Sequence, residues 1–123
     1  MSKRAAIIIS ILIAVFCSSW VSAQLGPGNS RSGQVIYEEH CFRCHGMTGN
    51  GDGPEASRQL VPPANFHSLR SRSKTDFELL TIVEYGVAFS PMHGFLGRMT
   101  DDELLEVINY IRTLAPFIPT SEV

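Results

Sequence analysis

The sequence predicts an all-α domain in which three helices are joined by two long loops that close around a bound group. Two capping boxes, Thr75-x-x-Glu78 and Thr100-x-x-Glu103, each open an apolar run with helical spacing. Ahead of them, Gly46, Gly49, Gly51, Gly53, Pro54, Pro62 and Pro63 interrupt every regular pattern. No alternating strand pattern of useful length, internal repeat or low-complexity tract competes with this reading.

The first helix is expected from Gly33 into a cysteine pair. Gly33, Tyr37, Cys41 and Cys44 recur at spacings of four, four and three, which is one helical stripe. Residues 46–73 form the first long loop, and 28 residues without structure are rare in a small domain unless they have work to do. The second helix starts at the Thr75 box, shows Phe77, Leu80 and Val83 as its apolar face with Leu79 and Ile82 beside them, and stops at Gly86. Residues 86–98 are the second loop. The last helix follows Thr100, with Asp101 and Asp102 in its favourable first turn, Leu104, Val107, Ile108 and Ile111 as its buried stripe, Arg112 near its end, and Pro116 beyond it. Three short helices bury little apolar surface, so an apolar group is expected at their centre.

The 123 residues leave room for one domain. Ser2-Lys3-Arg4, the apolar run Ala5 to Phe16 and the small-x-small site Val21-Ser22-Ala23 have the order of a bacterial secretory signal peptide, with cleavage expected after Ala23. An uncut anchor, leaving the domain on the membrane facing the periplasm, is the alternative. Spanning needs about 20 apolar residues for roughly 30 Å of hydrocarbon, and Ser18, Ser19 and Ser22 interrupt the segment. Phe16 ahead of Cys17 argues against lipid attachment there. The domain plan is then a signal segment over 1–23, a flexible leader over 24–32, the domain over 33–115 and a tail over 116–123. Cleavage removes Lys3 and Arg4 and leaves eight basic against twelve acidic residues, a surface that does not suit nucleic acid.

The chemistry is concentrated in Cys41-Phe42-Arg43-Cys44-His45. On a helix these three side chains share one face, so two thiols and an imidazole meet the same object. That spacing reads as covalent attachment of one haem c: thioethers from Cys41 and Cys44 at the ring edge, and His45 on the iron. A zinc site would need further ligands at finger or ribbon spacing, and a thioredoxin-type pair would need a βαβ setting. Neither is present.

Over residues 33–114 the chain resembles the class I c-type cytochromes, the mono-haem cytochrome c family. The resemblance rests on Gly33 and Tyr37, the C-x-x-C-H itself, His45 to Pro54, Pro62-Pro63-Ala64-Asn65-Phe66, Pro91-Met92-His93-Gly94-Phe95, and Met99 to Glu103 leading into Tyr110-Ile111. It implies the cytochrome c fold and an iron held by His45 and a distal methionine. In the family that methionine lies in the second loop, seven residues before the apolar residue preceding the last helix, as Met92 does before Met99. Met47 follows His45 too closely to reach the other face of the ring. The family's usual proline after the ligand is here His93, which keeps bis-His ligation open. A proline carbonyl receives the proximal imidazole N–H in the family, with Pro54, Pro62 and Pro63 as candidates. Asn65 and Arg70 are candidates for the propionates, and His40 and His67 for surface and loop roles.

With both axial positions filled no catalytic residue is expected, and the chain reads as a periplasmic electron carrier, not an enzyme. Its partners would be redox proteins met transiently, at the Cys41–Cys44 turn and the Met92 loop. Two alternatives stay open: a dedicated haem c subunit of a periplasmic oxidoreductase complex, and a ligand-binding haem sensor in which Met92 is displaced.

Overall fold

The computed structural model describes residues 29–119; the expected signal segment, most of the leader and the end of the tail lie outside them. The described chain is helical. α1 spans Ser30–His40, α2 Phe42–His45, α3 Leu69–Arg72, α4 Asp76–Tyr85 and α5 Asp101–Leu114, with a 3-10 turn at Ala56–Arg58. The extended pairing among the described residues is an isolated antiparallel bridge between Gly86 and His93.

α1 starts three residues earlier than its periodicity suggests, so Ser30, Arg31 and Ser32 are helical and the leader reading over 24–32 is corrected there. The cause is Asn29, whose side-chain oxygen accepts from the Arg31 N–H at 3.1 Å and satisfies a donor that the helix cannot. Gly33 therefore has a different role. A Cβ at this position would lie 1.9 Å from the Glu106 carbonyl oxygen, so the bare backbone lets α1 cross α5.

Next to that crossing, Tyr37 is fully buried, with its ring 5.3 Å from that of Tyr110. Tyr37 joins Val83, Phe95, Leu104, Val107 and Ile111 in the core, with Met99 packed against it. All four stripe residues predicted for α5 are buried. On α4 the burden falls on Val83, with Leu79 and Leu80 partly buried beside it. Phe77 departs from expectation and is 76% exposed. It stands about 60° round the helix beyond Leu80 and about 120° from Val83, and so falls off the edge of the buried face.

Both capping boxes form as expected. The Thr75 and Thr100 hydroxyls accept from Glu78 and Glu103 N–H, and each glutamate carboxylate in turn accepts from the threonine N–H, at 2.7 and 2.8 Å. The long first loop is less irregular than its composition suggests. Besides the 3-10 turn it contains α3, capped by the Ser68 hydroxyl, which accepts from Ser71 N–H. Beyond α5, the Arg72 guanidinium donates to the Pro116 carbonyl and Ile118 N–H donates back to Arg72, both at 3.0 Å, so the start of the tail is tied down.

Candidate haem-binding site

α1 breaks at Cys41, where φ is −115°, yet Cys41 N–H still donates to Tyr37 and His45 N–H to Cys41, at 2.8 and 2.9 Å. The helical register thus carries through the break, and Cys41, Cys44 and His45 keep one face. Carbonyls left over at the end of α2 are taken up by the following loop: Gly51 N–H donates to His45, Gly53 N–H to Cys44, and Glu55 N–H to Arg43, at 2.9, 3.1 and 2.8 Å. Arg43 and Glu55 also form an ion pair. The Tyr37 hydroxyl donates to the Gly46 carbonyl at 2.7 Å, fixing the turn from the core side.

Cys41 and Cys44 are half-buried free thiols, with no disulfide between them. Burial, reinforced by the neighbouring Cys44, pushes the Cys41 thiol up to about 12, so it stays protonated at neutral pH. His45 is half-buried, and its Nδ1 lies 3.1 Å from the Ala64 carbonyl oxygen. Nδ1 is then the donor and Nε2 carries the lone pair. Burial lowers the His45 pKa, with the Ala64 bond opposing in part, so the ring is neutral and able to bind a metal. The acceptor is therefore Ala64, which corrects the expectation of Pro54, Pro62 or Pro63. The Pro63 carbonyl faces Gly51 instead, 2.6 Å from where a Cβ there would sit.

Met92 is half-buried in the loop after α4. Its carbonyl accepts from Val87 N–H at 2.9 Å and its N–H donates to the Ser90 hydroxyl at 3.1 Å. Gly86 and Gly94 let the two arms of this loop touch: a Cβ at Gly94 would lie 2.5 Å from the Glu84 carbonyl oxygen. Phe95 and Leu96 N–H donate to Val83 and Glu84, anchoring the loop to the last turn of α4. His93 is exposed, its ring 4.9 Å from that of Phe95. Met47 is 54% exposed, while His67 Nε2 lies 2.8 Å from the Thr48 carbonyl oxygen and is occupied there. Asn65 Oδ1 accepts from His67 N–H at 2.8 Å, a local turn bond.

Two free thiols and a neutral imidazole with an open Nε2, all on one helical face, are the donor set that a covalently bound haem requires. The family model described as cytochrome c oxidase, cbb3-type, subunit III matches residues 28–111. The chain belongs to this family of c-type cytochromes. Membership implies a covalently bound haem c and electron transfer as the general role.

Among solved structures, the cytochrome is similar to a chain of the Kuenenia stuttgartiensis reducing HAO-like protein complex Kustc0457/Kustc0458, with 29% identity and a TM-score of 0.67. The match covers 77% of this chain and 48% of that one, so the cytochrome spans about half its length. The structure titled KustC0563 c-type cytochrome shares the fold at 21% identity and a TM-score of 0.55, over 68% of this chain and 96% of that one. No curated protein matches the sequence.

Three residues at the candidate attachment site have no role assigned from the sequence, although Ala64 and Phe66 lie in the stretch that carries the resemblance. Ala64 contributes only its backbone. Phe66 stacks its ring on His45, with centroids 4.6 Å apart and planes 23° apart. Gln59 brings its amide nitrogen to 3.9 Å from Cys44 Sγ. All three come from the loop that folds back under α2, and spacing alone does not reveal that return.

Proposed function

We propose that this cytochrome is a periplasmic carrier that passes one electron at a time between redox proteins, using a single haem c held by Cys41, Cys44, His45 and Met92. The observation that carries the proposal is His45 itself: it sits on the face of both thiols, with Nδ1 engaged by Ala64 and Nε2 free for iron. A bound haem supplies an iron that changes oxidation state by one electron with no bond to substrate made or broken. The chain's residues do the rest. Cys41 and Cys44 would tether the ring edge, His45 and Met92 would hold the iron, and buried Tyr37 braces the turn after His45 through the Gly46 carbonyl.

Met92 is favoured over His93 by the local backbone. His93 lies in an extended bridge with Gly86, where neighbouring side chains point to opposite faces, and its ring is spent against Phe95. With both axial sites filled by side chains, the protein has no position for a substrate on iron and is not an enzyme. Export is supported by the signal-like first 23 residues, and among the described residues no helix is long and apolar enough to cross a membrane.

A second reading is supported by one observation. The similar Kuenenia chain belongs to a protein complex and is about twice the matched length, which suits a haem c subunit dedicated to one oxidoreductase. Size-exclusion chromatography of the exported protein from its native host separates the two: a free carrier elutes alone, a subunit with its partners. For the ligands, magnetic circular dichroism of the ferric protein and its Met92→Ala variant is decisive. The methionine-to-iron band is expected in the first and absent from the second; the same spectrum in both would reject Met92 and promote His93.

A further inference from the structure

His45 is restrained on two sides, and only one of them is the hydrogen bond to Ala64. The other is Phe66, whose ring lies nearly parallel to the imidazole at 4.6 Å. Phe66 has little freedom to leave. Its N–H donates to the Gly49 carbonyl at 2.7 Å, and its ring presses so closely on that turn that a Cβ at Gly49 would stand 2.6 Å from its Cδ2. On its other side the ring meets the buried Tyr37 edge-on, at 6.3 Å between centroids, and Tyr37 is pinned by its hydroxyl to Gly46.

The two restraints act differently. A carbonyl in line with Nδ1 fixes the direction of that N–H but tolerates rocking of the ring about the bond. A flat ring held against the imidazole face removes the rocking. In a low-spin ferric centre the plane of an axial imidazole decides how the iron d orbitals split, so whatever holds the plane also sets the electronic state.

We propose that Phe66 is a positioning residue for His45, its stacked ring holding the imidazole plane and thereby the electronic state of the iron that His45 binds. The proposal rests on the haem reading above and adds to it. Covalent porphyrin in the wild-type protein is checked first, after denaturation, and its absence would overturn the haem reading before Phe66 is touched.

Electron paramagnetic resonance of the haem-loaded full chain then compares wild type with Phe66→Leu and Phe66→Tyr. Leucine keeps apolar bulk and removes the flat face; tyrosine keeps the face. The largest g value is expected to shift or broaden in Phe66→Leu and to coincide with wild type in Phe66→Tyr, with the reduction potential moving in the same pattern. A Phe66→Leu signal superimposable on wild type would overturn the proposal, as would a Phe66→Tyr signal displaced just as far. Should Phe66→Leu fail to accumulate, the reduced wild-type protein decides by nuclear magnetic resonance: cross-relaxation between the Phe66 and His45 ring protons is expected, and its absence would overturn the stack.

Discussion

At the scale of single residues, the turn after the attachment motif depends on one phenol. Burial raises the Tyr37 pKa well above the ordinary tyrosine value, so the hydroxyl remains a donor throughout the accessible pH range and holds the Gly46 carbonyl. Gly46 O also accepts from Gly49 N–H at 3.3 Å, so it is not orphaned when the phenol is lost. Tyr37→Phe is therefore expected to cost about 0.5–1.5 kcal/mol, the net value of one hydrogen bond, measurable by urea unfolding of the haem protein. Neighbouring residues differ in how far sequence alone exposes them. Cys41, Cys44 and His45 are legible because their chemistry and spacing are local to one helical turn. Ala64 and Phe66 are less so, because they reach His45 from 19 and 21 residues further on, through a fold-back that the resemblance implies only as far as a nearby proline carbonyl.

At the scale of elements, the boundaries of α4 and α5 were legible because capping is a short-range bargain between a hydroxyl, a carboxylate and backbone N–H groups. The start of α1 was less so, since Asn29 lies in a stretch whose composition resembles linker. Phe77 departs from the expected face because a spacing of three drifts about 60° per step, so that two steps before Val83 the stripe has already turned toward solvent. The boxes make a pH prediction. Hydrogen bonds from Thr75 and Thr100 lower the pKa of Glu78 and Glu103 below the usual 4.5. A carboxylate with a depressed folded pKa contributes stability above its unfolded value and loses it as pH falls through the folded one. Glu78→Gln/Glu103→Gln should thus melt below wild type at pH 7, and the gap should narrow as pH falls from about 4.5. Thermal melts across that range check it, and a gap independent of pH would contradict it. The α1–α5 crossing makes another. Gly33→Ala puts a methyl where the Glu106 carbonyl already lies, and overpacking of this kind costs about 1–3 kcal/mol.

For the whole molecule, the ends of three elements meet at Arg112. Its side chain, 15% exposed, donates to Asp76 at 2.7 Å and to the Lys74 carbonyl, and its guanidinium lies 5.4 Å from the centre of the Phe117 ring. The start of α4, the end of α5 and the tail are thus joined by one cation. Asp76 is 70% exposed, and such an ion pair is worth at most about 1 kcal/mol, so Asp76→Asn should change stability little. Arg112→Leu removes the charged bond to a backbone carbonyl as well, and should cost about 1.5–3 kcal/mol by denaturant unfolding. Long-range ties of this sort were invisible in the sequence, where Arg112 reads only as a favourable charge near a helix end.

On the proposed reading, the helices, the fold-back loop and the Met92 loop would serve one arrangement, in which a prosthetic group is bonded to the chain at Cys41 and Cys44 and enclosed by the rest. Denaturation followed by acid extraction and a pyridine haemochrome spectrum examines that arrangement directly. A c-type spectrum that stays with the unfolded polypeptide, and is lost when Cys41 and Cys44 are both changed to serine, is the predicted result. Porphyrin that extracts freely from the wild-type chain, or none at all, would contradict it.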